Sequence, residues 1–147
     1  MIADIVERVQ QSIIENPPRL GKRDVVYAEA RKTKPLAGYC YVATQAVWVL
    51  LGGLSSDFRP YVIANDGVDT HWYLMDFDGN IIDPTASQFE DRIPYEDGRW
   101  GLGKMCMHLR RSNGTVQKYR EGIFTPDKKV ESIIGAVASS ITKGGIK

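Results

Sequence analysis

Apolar and polar positions along the chain alternate with two different periods, and each predicts its own kind of element. Over Ile2–Glu15, Ile2, Ile5, Val6, Val9, Ile13 and Ile14 fall near one face of a 3.6-residue repeat, which predicts an amphipathic helix ended by Pro17-Pro18. Residues 40–51 are apolar nearly all round (Val42, Ala43, Ala46, Val47, Trp48, Leu50, Leu51), the pattern of a buried helix, and Gly52-Gly53 stops it. Three strands are then expected, at 59–64, at Thr70–Asp76 and at 80–83. Asp66-Gly67 and Asp78-Gly79 mark the turns between them, and Pro84 ends the third. The C-terminal third predicts a helix. Thr125 would be its N-cap and Pro126 its first residue, with Asp127 at the positive end of its dipole, and Val130, Ile133, Ile134, Val137 and Ile141 form its apolar stripe.

Between these elements the pattern is weaker. Residues 19–35 are irregular, with one short helical piece expected at 25–31, and Pro35 and Gly38 mark a break before the buried helix. Residues 86–103 are rich in Asp, Glu, Gly and Pro and predict a loop, 104–109 predict a strand, and Lys143-Gly144-Gly145 a frayed tail. The order of helices, antiparallel strands and a closing helix predicts one α+β domain over 1–147, with a central buried helix on a sheet.

Composition adds limits. With 147 residues and 43% hydrophobic content, the chain can bury a core without covalent staples. Two cysteines make no disulfide framework and suit a reducing compartment. No apolar run approaches the roughly 20 residues of a membrane span. Asp4, Glu7 and Arg8 interrupt the first helix where a signal peptide would be uncharged, so a cytoplasmic protein is expected, with no membrane partner. The net charge of +1 does not favour nucleic acid. Two local stretches are basic, 19–34 and 104–120, and read either as solvated loop charge or as a patch for an anionic ligand.

The candidate chemistry lies in three residues. Cys40 stands where a loop enters the buried helix, and unpaired N–H groups at a helix N-terminus favour a thiolate there. Gly38 permits the tight entry. His71, one of two histidines, sits in the apolar strand Thr70–Asp76 and is a candidate base; Asp83, at the end of the next strand, could fix its tautomer. Strand register tests whether the last two can meet. A three-residue loop, Phe77-Asp78-Gly79, with Gly79 in the left-handed conformation, pairs Asp76 with Asn80 and sets Tyr73 opposite Asp83. His71 then shares a face with Tyr73 and is the diagonal neighbour of Asp83, about 7–8 Å away between backbones. A two-residue Asp78-Gly79 turn would put them on opposite faces.

Gly38-Tyr39-Cys40 opening a helix, His71-Trp72 in a strand and Asp83-Pro84-Thr85 after the next strand resemble the core of the transglutaminase-like, papain-related thiol enzymes. The resemblance covers about 36–89. It implies a papain/transglutaminase-like fold with Cys40, His71 and Asp83 catalytic and no cofactor. The expected substrate is an amide or acyl group of a peptide, a protein or a small molecule, and hydrolase, deamidase and transferase are all open. The pattern that also includes Ile82, Ala86, Gln88 and Phe89 is similar to small proteins of phages and mobile elements. One departure is that Lys34 stands six residues before the cysteine, where papain-like peptidases place an oxyanion-hole Gln. The Cys40 backbone N–H and one of Tyr39, Tyr41 and Gln88 would have to serve instead, with Trp72 a further substrate-binding candidate. An inactive binding or inhibitory module of the same fold is the alternative, and a nucleic-acid-directed protein using the basic stretches a third. Cys106 and His108 form a Cys-x-His pair, but zinc sites show tighter paired spacing, and no metal is expected.

Overall fold

The computed structural model describes residues 1–64, 70–102, 105 and 128–145, the last five by backbone alone. Within these the chain is α+β: helices α1 (Ile2–Glu15), α2 (Arg23–Tyr27), α3 (Cys40–Leu50) and α4 (Lys128–Gly145), and strands β1 (Phe58–Ala64), β2 (Thr70–Asp76), β3 (Ile81–Ile82) and β4 (Arg99–Trp100). The strands form one antiparallel sheet in the order β3-β2-β1-β4.

Amphipathic pattern becomes packing as expected in α1, where Ile5, Val9 and Ile13 are buried, while Ile2 and Ile14 at the edges of the stripe are exposed. α4 packs on α1 and α3 through Val130, Ile133 and Val137. Arg8 ties α1 to α4 by donating to the Ser140 hydroxyl at 2.8 Å. Helix α3 lies on one face of the sheet, and α1 and α4 pack against α3, so that Val42 to Trp48 are all buried. Two polar side chains fix how α3 lies on the strands. Thr44 Oγ1 donates to the Trp72 carbonyl at 3.1 Å, and Trp48 Nε1 donates to the Phe58 carbonyl at 2.9 Å. Gly52, at φ 112°, takes the left-handed conformation that closes the helix.

Side-chain alternation divides the sheet. Val62, Trp72 and Leu74 join the core cluster under α3. Ile63, His71 and Tyr73 take the opposite face by the period of two. That second face is roofed by the chain from Pro84 to Gly98, which includes two short 3₁₀ turns, Ala86–Gln88 and Tyr95–Asp97.

Several boundaries differ from expectation. The piece at 25–31 is split into α2 and a 3₁₀ turn at Ala30–Lys32. The third strand is only Ile81–Ile82, because Pro84 and the turn begun by Asp83 leave no further ladder partners. The expected loop 86–103 contains β4, a two-residue edge strand beside β1 at Tyr61 and Val62. Its exposed residues carry no alternation, so tertiary pairing alone defines it. Met105 is the one described residue of the expected strand 104–109, and its amide bonds the Gly101 carbonyl at 3.0 Å, a helical turn rather than a strand. α4 continues through the expected frayed tail to Gly145. The Asp66-Gly67 turn and the cap residues Thr125, Pro126 and Asp127 lie outside the described residues.

Candidate functional site

The approach to Cys40 is held from three sides. Gly38 has φ 83°, and the Tyr27 ring packs so closely that a Cβ would strike it, so this position requires glycine twice over. Arg31 lies beneath the turn: its Nε donates to the Ala37 carbonyl at 2.8 Å and its Nη1 to Asp24 at 2.8 Å, with the guanidinium 4.1 Å from the Tyr39 ring centre. The hydrogen bond from Arg31 holds Asp24 below the usual carboxylate range. The Gly38 N–H donates to Gln88 Oε1 at 3.1 Å, and Gln88 Nε2 donates to Thr85 Oγ1 at 3.0 Å. Gln88 therefore ties the loop before Cys40 to the loop after Asp83. Cys40 is the first residue of α3, and its thiol is 3.5 Å from the Thr70 carbonyl, one residue before His71.

The register expected for β2 and β3 is the one present. Leu74 pairs with Ile82, the Asp76 N–H donates to the Asn80 carbonyl at 3.0 Å, and Gly79 has φ 86°. His71 and Asp83 accordingly meet, with Nε2 and Oδ2 2.6 Å apart and both side chains under 5% exposed. Asp83 is further fixed by the Thr85 N–H on Oδ1 at 3.2 Å and by the Tyr95 hydroxyl on Oδ2 at 2.7 Å. A carboxylate only accepts, so the proton in the His71–Asp83 bond is on Nε2. Nδ1 is buried without a well-aligned partner. With Nε2 taken, it is the nitrogen left to the Cys40 thiol, which lies near enough to influence the ring's charge. Burial is the largest influence and pushes the imidazole down. The Asp83 hydrogen bond and the nearby Asp83 and Cys40 groups outweigh it, raising His71 from 6.5 to about 9.

Three aromatic rings frame the imidazole. Phe89 meets it edge-on at 4.7 Å and Tyr73 stacks at 6.4 Å, while Tyr95 packs edge-on against Tyr73 at 4.9 Å. Beside His71 opens a cavity of about 400 Å³ with Ile63, Phe89, Ile93 and Pro94 as apolar wall and Lys34, Glu90, Asp91 and Arg92 as charged wall. Gln88 also faces it; Cys40 does not line it.

The structure thus brings Cys40, His71 and Asp83 together and distributes the other candidates differently. Trp72 is buried under α3, edge-on to Tyr41 at 5.1 Å, because alternation turns it away from His71. Tyr39 is buried with its hydroxyl donating to the Pro18 carbonyl at 3.0 Å, so it does not face the cavity. The Tyr41 hydroxyl accepts from Gln45 at 3.3 Å. Gln88 is beside the site, but its amide is engaged at both ends. Lys34 does line the cavity, in an ion pair with Glu90 at 3.2 Å. Within the basic stretch 19–34, Arg31 is turned inward and Lys32 pairs with exposed Glu29; the stretch 104–120 lies outside the described residues apart from Met105. Sequence pattern does not mark Tyr95 or Phe89 as site residues. Pro94 before Tyr95 and the Glu96-Asp97-Gly98 turn after it were the available signals of an ordered turn.

Among the described residues no cluster of three or more His, Cys, Asp and Glu is placed to hold a metal ion, and Cys106 and His108 lie outside them. Nor, among those residues, is any helix long and apolar enough to cross a membrane. Comparison with protein-family models, with curated proteins and with solved structures finds no match to the chain.

Proposed function

We propose that this chain is a thiol enzyme of papain/transglutaminase-like architecture that cleaves or transfers an amide or acyl group through a thioester on Cys40. The observation that carries the reading is the buried 2.6 Å bond between His71 and Asp83 on a ring whose other nitrogen is left to Cys40. Orientation of a base by a carboxylate, with a nucleophile at the base's free side, is the arrangement nucleophilic catalysis requires. An imidazolium beside a sulfur favours negative charge on the sulfur.

In the first half-reaction the thiol proton is on His71 Nδ1 and Sγ attacks the carbonyl carbon. The first N–H groups of α3, which have no acceptor within the helix, face developing negative charge. The bond to the leaving group breaks as His71 gives that group its proton. In the second, neutral His71 takes a proton from water or an amine, whose oxygen or nitrogen attacks the thioester carbon. The C–S bond breaks and sulfur and imidazolium are restored. Asp83 accepts from Nε2 throughout.

A second reading, an inactive binding or inhibitory module of this fold, of the kind a phage could encode, is favoured by one observation. Cys40 does not line the cavity, and its thiol is 3.5 Å from the Thr70 carbonyl. Turnover of a panel of amide and thioester substrates separates the two. Activity that disappears in Cys40→Ala and in His71→Ala supports the enzyme; activity retained in Cys40→Ala removes Cys40 as nucleophile.

A further inference from the structure

We infer that Tyr95 is a positioning residue of this site: its hydroxyl shares Asp83 Oδ2 with His71 Nε2 and so sets how strongly the carboxylate holds the imidazole. The inference rests on the reading of Cys40, His71 and Asp83 given above.

The geometry is built rather than incidental. Tyr95 lies in the roof over the second face of the sheet, and its carbonyl is held twice. It accepts from the buried Tyr73 hydroxyl at 3.0 Å and from the Gly98 N–H at 3.0 Å. Gly98 is required for this, since a Cβ there would land on the Tyr73 hydroxyl. The Tyr95 ring is braced edge-on against Tyr73, which itself stacks beside His71. The hydroxyl thus reaches Oδ2 at 2.7 Å, the same oxygen that His71 approaches at 2.6 Å. Burial and the neighbouring Asp83 charge push the Tyr95 phenol above its ordinary range, so it remains a donor across the working pH.

Two donors on one carboxylate oxygen compete for its charge. The Tyr95 bond draws negative charge from Oδ2 and weakens the pull of Asp83 on the imidazolium. Without it, His71 holds its proton more tightly and becomes a poorer acid toward a leaving group. The other titratable groups near the ring are Cys40, Tyr73 and, around the cavity, Lys34, Glu90, Asp91 and Arg92. Among the described residues the Tyr95 hydroxyl hydrogen-bonds Asp83 and none of these groups.

The test is the titration of His71, followed by NMR in the full chain, where only His108 adds a second imidazole signal. In Tyr95→Phe the His71 titration moves upward. In Asp83→Asn the same second change moves it little further, because the carboxylate charge through which Tyr95 acts is gone. A fluorinated tyrosine introduced at Tyr95, a stronger donor of the same shape, moves it downward, which keeps the test open should Tyr95→Phe fail to fold. On substrate, Tyr95→Phe lowers kcat roughly ten-fold, the loss of one hydrogen bond to a charged group, with KM little changed. A His71 titration unmoved by both replacements overturns the role of Tyr95. The titration is read without substrate, so a shift in a protein that turns nothing over would keep this inference and remove the proposed function.

Discussion

Replacing Asp83 with Asn should change the pH dependence of stability in a defined window. In the folded chain His71 is raised from 6.5 to about 9, by Asp83 and Cys40 acting against burial. A group held above its unfolded value contributes stability that is fully present below the unfolded value and is lost as pH rises through the folded one. The window is therefore between about 6.5 and 9, with loss on the alkaline side. At about 1.4 kcal/mol per tenfold change, the whole contribution is about 3 kcal/mol, shared between Asp83 and Cys40. Asp83→Asn removes the carboxylate charge, so His71 titrates lower and the variant loses less stability across the same window. Urea unfolding of both proteins at intervals from pH 6 to 10 measures this. The stability gap between wild type and variant should be widest near pH 6 and close by about 1–2 kcal/mol towards pH 9.5. A gap constant with pH would mean that His71 and Asp83 do not share charge in solution, and the electrostatic account of the pair would fail.

Two further outcomes test how Cys40 is positioned. Gly38→Ala places a Cβ against the Tyr27 ring at φ 83° and should cost about 1–3 kcal/mol in thermal or urea unfolding, with loss of any Cys40 activity; a fully stable and active Gly38→Ala would contradict the close approach. Gln88→Ala breaks the tie between the Gly38 N–H and Thr85 Oγ1 and should cost about 1–2 kcal/mol, with kcat falling more than KM rises; a rise in KM alone would make Gln88 a substrate contact instead.

The central geometry was legible in sequence because it depends on local rules. Gly79 after Phe77-Asp78 selects a three-residue loop, the loop sets the register, and a period of two puts His71 and Asp83 on one face. Helix α3 was legible because it is apolar all round, and Gly38 because a tight entry needs a left-handed residue. What was not legible is set by tertiary contact. Tyr95 reaches Asp83 only because Tyr73 and Gly98 hold its backbone, and nothing periodic marks that segment. Arg31 looks like one more loop charge until Tyr39 and Ala37 are seen packed on it. Gln88 has a side chain suited to an oxyanion hole, but hydrogen-bond partners on both neighbouring loops use its amide for structure.

The central claim is that His71 makes Cys40 a nucleophile, and the most direct measurement is the rate of alkylation of each cysteine, resolved by peptide mass spectrometry at neutral pH. Cys40 should be labelled well ahead of Cys106 in the native chain, and His71→Ala, with the fold retained, should slow Cys40 alone. Equal labelling of the two cysteines, or a Cys40 rate indifferent to His71, would contradict it.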